Sequence, residues 1–388
     1  MSNRWKAGFV QYFFDPLTQG PALDFGAIYS FGAGDQGVLG HNARDDISSP
    51  TQIGSSLWTE HAVGHQNSIA VTSSNELFTW GSGANGRLGH GDLFTRSSPT
   101  QVGSLTNWSK VAANLESCYA IKTDGTLWSW GGNSAGSLGQ NDRTQRNSPV
   151  QIGSDTNWSS LSAGGYFCLA IKTDGTLWSW GQGTKGQLGY GDSGGGAITA
   201  FYRSSPAQVG ALTTWFLAAA QTNYHSLATT TDNKLYAWGR NNYGQIGDNS
   251  RVDRSSPVQI GSLTNWKTPG GAKGGISGCV KTDGTLFTWG FGNRGATGHN
   301  DRNNRSSPTQ VGTLNTWLTI PRGSGGYYFM GAIKTDGTLW SWGEGSTGQL
   351  GLNEKVDRSS PVQVGSETNW LRISMGHNSV LVSEGEQG

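Results

Sequence analysis

One eleven-residue phrase recurs along this chain and constrains its fold more than any other feature. The phrase IKTDGTLWSWG occupies residues 121–131, 171–181 and 333–343, and a close variant, VKTDGTLFTWG, occupies 280–290. A catalytic centre is normally assembled once from unlike groups, whereas a phrase that returns at a regular interval indicates a repeat architecture. The repeated text therefore predicts a scaffold before it predicts any chemistry.

The period of the repeat is close to 50 residues. Each copy ends in an aromatic-Gly pair, and successive aromatics are separated by 49 to 58 residues. The longest interval contains an additional polar loop at 193–202. We expect the seven aromatics to fill the core between neighbouring sheets, because one such ring buries about 150–250 Å². They are Phe31, Trp80, Trp130, Trp180, Trp238, Trp289 and Trp342.

Each period contains four short strand patterns and no helical periodicity. In the copy at 158–210, WSSLSAGG and YFCLAIKT are followed by Asp174-Gly175, a strong hairpin signal. TLWSWG comes next, with Trp178 and Trp180 on one face of the strand. A Gly-rich loop, a Ser-Ser-Pro separator and a last strand, AQVG, complete the period. Many copies of such a unit predict an all-β fold, a seven-bladed β-propeller of four-stranded antiparallel blades.

The phase of the repeat predicts how the ring closes. We label the strands of a blade A to D from the inside outward. The first repeat text, AIYSFG at 27–32, corresponds to a C strand, and SPTQIG supplies a D strand. The chain ends with NWLRISMG and HNSVLVS, which correspond to an A and a B strand. These two half-blades should pair into a seventh blade, which removes exposed sheet edges.

Residues 1–26 do not fit the period, and we predict that they form a docking arm attached to a propeller at 27–388. The arm is rich in aromatic residues that need a covering surface: Trp5, Phe9, Tyr12, Phe13 and Phe14. Its opening resembles that of some tailed-bacteriophage virion proteins, which begin with a Met-Ser-Asn-basic stretch and continue to an aromatic-Asp-Pro phrase. We therefore expect a protein partner in a larger assembly to hold this arm.

Composition narrows the classes of partner. Charged residues make up 14% of the chain and the formal net charge is +1, against about 25% charged residues in an average domain. Without a basic stripe, we expect no nucleic-acid partner. No apolar run is long enough to cross a membrane, and the N-terminus lacks signal-peptide features. The Gly/Ser/Thr/Asn-rich composition suits a virion surface; otherwise we expect a cytoplasmic location.

The motifs together resemble one known repeat family. The pattern G-x-[GN]-x-x-G-x-L-G, a Pro, a V-x-x-G strand and D-G-x-L-[WY]-x-W-G is similar to the RCC1 repeat (regulator of chromosome condensation) over roughly residues 27–383. Kelch and WD40 repeats fit less well. The resemblance implies a propeller fold. The family's best-known activity is guanine-nucleotide exchange on the small GTPase Ran, together with chromatin binding, and exchange proteins use a wedge and acidic and His residues on one face.

This chain departs from the exchange-type pattern. It has no matching wedge and no basic tail, and the family's His before the B strand occurs only as His65, His225 and His377. We therefore favour a non-enzymatic structural or binding protein, displayed on an assembly such as a phage particle, with a host surface or a glycan as ligand. Two alternatives stay open. One is an RCC1-type exchange factor or regulator of a small GTPase, and the other is a carbohydrate-active enzyme on a propeller scaffold.

No motif predicts a cofactor or a metal site. Five copies contain GxGxxG, but each leaves a strand and enters a polar loop instead of opening a helix, so nucleotide binding is not indicated. Two copies carry Asn133 and Asn241 at the middle Gly, which we attribute to a shared tolerance of left-handed backbone. The string at 248–253 has calcium-like carboxylate spacing, but its Arg favours an ordinary loop. The His residues show no metal-binding spacing.

An Arg precedes the Ser/Asn-Ser-Pro segment in six copies, and an Asp lies upstream of each Arg. A ring of cations for a polyanion is one interpretation. Because both signs are equally numerous, we instead predict local pairs that organise the C–D loop. The six predicted pairs are Asp92–Arg96, Asp142–Arg146, Asp192–Arg203, Asp253–Arg254, Asp301–Arg305 and Asp357–Arg358.

Overall fold

The computed structural model describes residues 25–191, 201–323 and 326–385. Within these ranges 28 β-strands form seven four-stranded antiparallel sheets, the blades of a propeller, and the predicted fold class is confirmed. A strands of neighbouring blades contact one another around the central channel, and the D strands form the outer edges. None of the described residues belongs to a helix with the length and apolar character that a membrane span needs.

The strands follow the chain from blade to blade. The first two, β1 (Ile28–Gly32) and β2 (Ile47–Gln52), belong to the closing blade. Blades 1 to 3 consist of β3 (Trp58–Val63), β4 (Asn67–Thr72), β5 (Leu77–Gly81), β6 (Arg96–Gln101), β7 (Trp108–Ala113), β8 (Ser117–Lys122), β9 (Leu127–Gly131), β10 (Arg146–Gln151), β11 (Trp158–Ala163), β12 (Phe167–Lys172), β13 (Leu177–Gln182) and β14 (Tyr202–Gln208).

Blades 4 to 6 repeat the same order. They consist of β15 (Trp215–Gln221), β16 (His225–Thr230), β17 (Leu235–Gly239), β18 (Arg254–Gln259), β19 (Trp266–Ala272), β20 (Ile276–Lys281), β21 (Leu286–Gly290), β22 (Arg305–Gln310), β23 (Trp317–Thr319), β24 (Phe329–Lys334), β25 (Leu339–Gly343) and β26 (Arg358–Gln363). The last two strands, β27 (Trp370–Met375) and β28 (Ser379–Glu384), complete the closing blade.

The ring closes where the sequence predicts. The seventh sheet has the order β2-β1-β28-β27. Its central pair is antiparallel and runs from Ile28 opposite Ser383 to Gly32 opposite Ser379. The pairing of N-terminal C and D strands with C-terminal A and B strands is therefore confirmed. Gly26, which we assigned to the arm, exchanges backbone hydrogen bonds with Trp58 of β3.

One strand boundary differs from the prediction. The D strands begin at the Arg before the Ser/Asn-Ser-Pro segment in most blades and include that segment, which the sequence suggested as a separator. In blade 1, Arg96 lies opposite Gly81 and Gln101 lies opposite Phe78, with a register shift between the two pairs. The Pro is tolerated because the D strand is the outer edge of the sheet, where a missing N–H is least costly.

The seven repeat aromatics lie between blades, each at most 1% exposed. Each of the six Trp side chains donates its Nε1–H to a backbone carbonyl of the preceding blade, so one residue both fills the gap and fixes the distance across it. The pairs are Trp80–Val38, Trp130–Arg87, Trp180–Ser137, Trp238–Gln187, Trp289–Gln245 and Trp342–Ala296. At the closing blade Phe31 takes this position and packs against Gly351.

The Asp-Gly hairpin accounts for the rest of the repeated phrase. Asp124 Oδ1 accepts hydrogen bonds from the backbone N and Oγ1 of Thr126, and Thr126 Oγ1 accepts one from Nε1 of Trp128 at 2.9 Å. Gly125 has a φ of +76°, and a Cβ there would lie 2.1 Å from the carbonyl oxygen of Thr156. Glycine meets both conditions without strain, which is why the four copies of the phrase keep it at this position.

Candidate functional site

One face of the ring carries the A–B loops, whose residues vary between blades. Antiparallel neighbours turn at alternate ends, so the A–B and C–D loops emerge together on one side, which we call the AB face. The B–C hairpins, which carry the repeated phrase, emerge on the opposite side. The A–B loops carry no repeated phrase, so a site that includes them is assembled from residues that differ between blades.

Six half-buried rings on the AB face form a continuous row, which we call the aromatic arc. Successive ring centroids lie 4.5, 4.8, 4.1, 5.2 and 4.4 Å apart, which are distances of direct aromatic contact. The rings come from the A–B loops of blade 1, blade 6 and the closing blade, and from the C–D loops of blades 4 and 5. In order they are His65, His377, Tyr327, Tyr328, Phe291 and Tyr243.

Lys273, from the A–B loop of blade 5, ties two parts of the arc together. Its Nζ donates a hydrogen bond of 2.7 Å to Nδ1 of His377 and lies 5.3 Å from the ring centroid of Tyr327. The backbone N–H of Tyr327 in turn donates to the carbonyl of His377 at 2.8 Å. Burial lowers the pKa of Lys273 to about 8, so the ammonium form still dominates at neutral pH.

The two His side chains of the arc are neutral at neutral pH. Burial, reinforced by the charge of Lys273, lowers the pKa of His65 to about 4 and that of His377 to about 3. Because an ammonium group can only donate, Nδ1 of His377 accepts the hydrogen bond from Lys273, and the neutral ring carries its proton on Nε2. The arc consequently presents uncharged ring faces beside one ammonium, a chemistry suited to stacking against a partner's side chains.

His225 does not belong with the other two His residues that precede B strands. It is the first residue of β16, is completely buried, and has its Nε2 2.8 Å from Oγ of Ser277 in the next blade. His65 and His377 lie two residues before their B strands. The residue that shares their position in blade 6 is Tyr327. Grouping the three His residues is wrong by two positions, because His225 corresponds to Asn67 of blade 1.

The GxGxxG copies form the tight turn that follows each C strand. In blade 1 the last Gly of the motif, Gly86, has positive φ, and a Cβ there would lie 2.7 Å from Cα of Asn147 in the next blade. The middle glycine, Gly83, has a φ of −85°. The left-handed explanation for the Asn copies is therefore wrong. Asn241 instead braces its loop by donating from Nδ2 to the carbonyl of Val252.

The predicted charge pairs are partly confirmed. Arg254 pairs with Asp248 and Arg358 with Glu354, in place of the predicted partners, and Asp192 lies outside the described residues. Each of these pairs lies within one C–D loop, which supports loop organisation over a ring for a polyanion. Across the described ranges no three His, Cys, Asp or Glu side chains group as metal ligands would. The confirmed pairs are Asp92–Arg96, Asp142–Arg146 and Asp301–Arg305.

Two predicted features lie outside the described residues. One is the group of arm aromatics, Trp5, Phe9, Tyr12, Phe13 and Phe14, and their docking role stays a prediction. The other is the additional polar loop, of which only the last residues are described.

A second cluster of charged side chains lies in the central channel, around a cavity of about 140 Å³. Oε1 of Glu60 lies 3.1 Å from both Nζ of Lys110 and Nη1 of Arg372. Burial raises the pKa of Glu60, but the charges of Arg372 and Lys110 outweigh burial and lower it to about 2. A carboxyl held so firmly ionised is unsuited to the general-acid role that glycoside hydrolysis requires.

These features define the class of the protein: a closed, seven-bladed repeat propeller whose blades share one hairpin and differ in their A–B loops. The sequence-family model of the regulator of chromosome condensation (RCC1) repeat matches six segments that together span most of the chain. The chain belongs to the RCC1 repeat family. The matched segments are 26–71, 74–121, 124–171, 174–229, 283–331 and 336–383.

Curated relatives match parts of the chain. The ultraviolet-B receptor UVR8 of Arabidopsis thaliana is 34% identical over 147 residues, covering 36% of this chain and 32% of the receptor. The E3 ubiquitin-protein ligase HERC2 of Mus musculus is 33% identical over 147 residues, covering 37% of this chain and 3% of the ligase. The matched part is thus no more than about a third of either relative.

Solved structures share the whole architecture. Prp20p from Saccharomyces cerevisiae superposes with a TM-score of 0.80 at 19% identity, covering 94% of this chain and 92% of Prp20p. Human WBSCR16 gives a TM-score of 0.80 at 17% identity, covering 93% of this chain and 99% of that protein. At these identities the likeness shows the fold.

Proposed function

We propose that this chain is a non-enzymatic regulatory propeller that binds a protein partner on its AB face, with a small GTPase as the first partner class to test. The observation that carries the proposal is the aromatic arc. Its rings are half-buried beside the ammonium of Lys273, and they lie outside the inter-blade core that the repeated Trp residues fill. Aromatic side chains contribute a disproportionate share of binding energy at protein interfaces.

The relatives support a protein partner. The crystal structure of Prp20p is reported together with its binding properties to Gsp1p and histones. Another crystal structure contains Kap60 bound to yeast RCC1 (Prp20). By resemblance, exchange-type proteins of the family use His residues on one face, and this chain places His65 and His377 on the AB face. The comparisons favour this regulator hypothesis over display on a virion, because the relatives named above are a receptor, a ubiquitin ligase and RCC1 proteins.

A nucleotide-release assay tests the GTPase proposal. A Ran-type GTPase loaded with fluorescent GDP is mixed with the chain, and we expect faster release of the nucleotide. Tyr328→Ala should abolish the acceleration because it interrupts the aromatic arc. Phe94→Ala is the matched control, since Phe94 is 74% exposed and makes no ring contact with the arc. An unchanged release rate with the wild-type chain would contradict exchange activity, and equal effects of the two variants would show that the aromatic arc is not the specific contact.

We further propose that residues 1–26 dock the propeller onto a larger assembly, which is a virion if the chain is phage-encoded. A chain that starts at residue 25 keeps the bonds of Gly26 to Trp58 and should form the same ring. It should no longer join its assembly, and normal incorporation would exclude the docking role. The side chains we expect to matter are Trp5, Phe9, Tyr12, Phe13 and Phe14.

A further inference from the structure

The central channel contains more positive than negative charge. Three of the charged residues, Glu60, Lys110 and Arg372, occupy the same position, two residues after the first Trp of the A strands β3, β7 and β27. These strands belong to three consecutive blades. Arg322 lines the same cavity from blade 6. We call these four residues the lumen cluster, and its three cations and one carboxylate leave a net charge of +2.

The cavity has hydrogen-bond donors that Glu60 does not use. Nε of Arg372 and both ring nitrogens of His61 are buried without a hydrogen-bond partner among the described residues. Burial lowers the pKa of His61 to about 4, so its neutral ring supplies one N–H donor and one acceptor nitrogen. His61 is 6% exposed and lines the cavity, and Arg322 is exposed within the channel. Buried donors without partners are destabilising, so a ligand that accepts hydrogen bonds from them is favoured.

The size of the cavity limits the ligand. About 140 Å³ is room for several waters or one small anion. The segment that carries Arg322 also narrows the channel, because a Cβ on the adjacent Gly323 would lie 3.5 Å from the carbonyl oxygen of Ala163 in blade 3. The lining next to the charges is small and includes Ala62 and Ser162. A folded peptide or a nucleic-acid strand does not fit in this space.

We propose that the lumen cluster binds a small dianionic oxyanion of the phosphate class, either free or carried on a small metabolite. The guanidinium groups of Arg322 and Arg372 present planar N–H donors that match phosphate oxygens, and Lys110 adds a third positive charge. Glu60 orients Lys110 and Arg372 but also repels an anion, so it limits the affinity. The site goes beyond the protein-binding function proposed above and does not depend on it.

Titration calorimetry with inorganic phosphate, at an ionic strength held constant with chloride, tests the proposal. We expect phosphate to bind the wild-type chain, and Arg322→Gln to weaken binding about tenfold or more. Arg302→Gln should leave binding unchanged, because Arg302 lies on a C–D loop with its side chain 64% exposed. Glu60→Gln should bind phosphate more tightly than the wild type, an effect of opposite sign that a purely structural role would not produce.

A second titration with glucose 6-phosphate, whose sugar would have to extend from the cavity along the channel, separates the two sources of the anion. Tighter binding than inorganic phosphate assigns the site to a phosphorylated metabolite, equal or weaker binding assigns it to free phosphate, and both results support the lumen site. If Glu60→Gln does not fold, the phosphate affinities of Arg322→Gln and Arg302→Gln alone decide whether the lumen cluster is the binding site. The absence of binding to the wild type at millimolar phosphate, or equal losses in the two Arg variants, would overturn the proposal.

Discussion

The two faces of the ring differ in how much of their sequence is repeated. On the hairpin face, four blades carry nearly the same eleven residues, and in each an Asp accepts the same two hydrogen bonds from the following Thr. On the AB face, the A–B loops differ in almost every side chain, and the loop of blade 6 is longer than the three-residue loops of the other blades. Repetition marks what each blade needs for packing, and departure from it marks positions available for binding.

The Lys of the repeated phrase also contacts side chains of its own blade. The ammonium of Lys122 lies 3.8 Å from the ring centroid of Trp128 and 4.9 Å from that of Trp108, and burial lowers the pKa of Lys122. The three other copies place Lys172, Lys281 and Lys334 over rings in the same way. By contrast, Lys273 on the AB face bonds to side chains from other blades, which only the closed ring brings together.

The largest expected loss of stability comes from removing a repeated aromatic. Trp180→Ala should lower the free energy of unfolding by about 3–5 kcal/mol, because a fully buried ring and its hydrogen bond to Ser137 are lost together. Trp178→Ala, at a half-buried position in the same strand, should cost less. Urea denaturation measures both values. Equal losses at the two positions would contradict the assignment of Trp180 to the inter-blade core.

The second prediction concerns the lumen. The pKa of Glu60 is about 2 in the folded chain against 4.5 unperturbed. Because the folded value is the lower one, ionised Glu60 stabilises the fold above about pH 4.5, and this contribution is lost as pH falls toward 2. Glu60→Gln should lower the free energy of unfolding by about 3 kcal/mol at neutral pH. The variant should also lose less stability than the wild type when the pH is lowered toward 2.

Urea unfolding at several pH values checks this dependence. Glu354→Gln is a suitable control, because its pair with Arg358 is a loop contact near the surface and should contribute under about 1 kcal/mol. A Glu60→Gln variant that loses stability in acid as steeply as the wild type would show that the lumen carboxylate is not the group responsible.

A pair of glycines on the hairpin face isolates the effect of close packing. Gly175 and Gly153 both have positive φ, at +75° and +61°, but only at Gly175 would a Cβ meet another atom, the carbonyl oxygen of Thr213 at 2.2 Å. Gly153→Ala should cost about 1 kcal/mol for backbone strain alone. Gly175→Ala should cost about 2 kcal/mol more, because the linker to blade 4 must move. Equal thermal midpoints for the two variants would argue against the clash.

The smallest effect on stability is expected on the AB face. Tyr243→Ala removes a half-buried ring that contacts Phe291 at 4.4 Å, so the free energy of unfolding should change by about 1 kcal/mol or less. The affinity for a partner bound to the arc should fall about tenfold. Phe94→Ala should change neither quantity. A loss of stability as large as that of Trp180→Ala would reclassify the arc as core.

The fold was predictable because its information is local and repeated. The period, the Asp-Gly hairpins and the phase of the first and last strands were enough to predict the blades and the pairing of β1 with β28. The start of the D strands was missed because Ser and Pro favour turns when propensity alone is considered, whereas an outer-edge strand tolerates both.

The candidate sites were harder to predict because they depend on ring geometry. His65 and His377 lie at opposite ends of the chain and meet only because the ring closes. Three members of the lumen cluster could have been predicted from the sequence. Glu60, Lys110 and Arg372 each lie two residues after a Trp, so an alignment of the A strands would group them. Arg322 could not be found in this way, because the A strand of blade 6, β23, is only three residues long and ends before Arg322.

The closing sheet also determines how the molecule responds to force. β1 and β28 are antiparallel, and the backbone N–H of Glu384 donates to the carbonyl of Ala27 at 3.1 Å, so both flanks of the propeller leave from one spot. Tension applied between those flanks breaks the backbone hydrogen bonds between β1 and β28 one pair at a time, from Ile28 toward Gly32, instead of loading all of them at once. The ring therefore opens first between β1 and β28, while the six blades that are each formed by a continuous chain segment remain assembled.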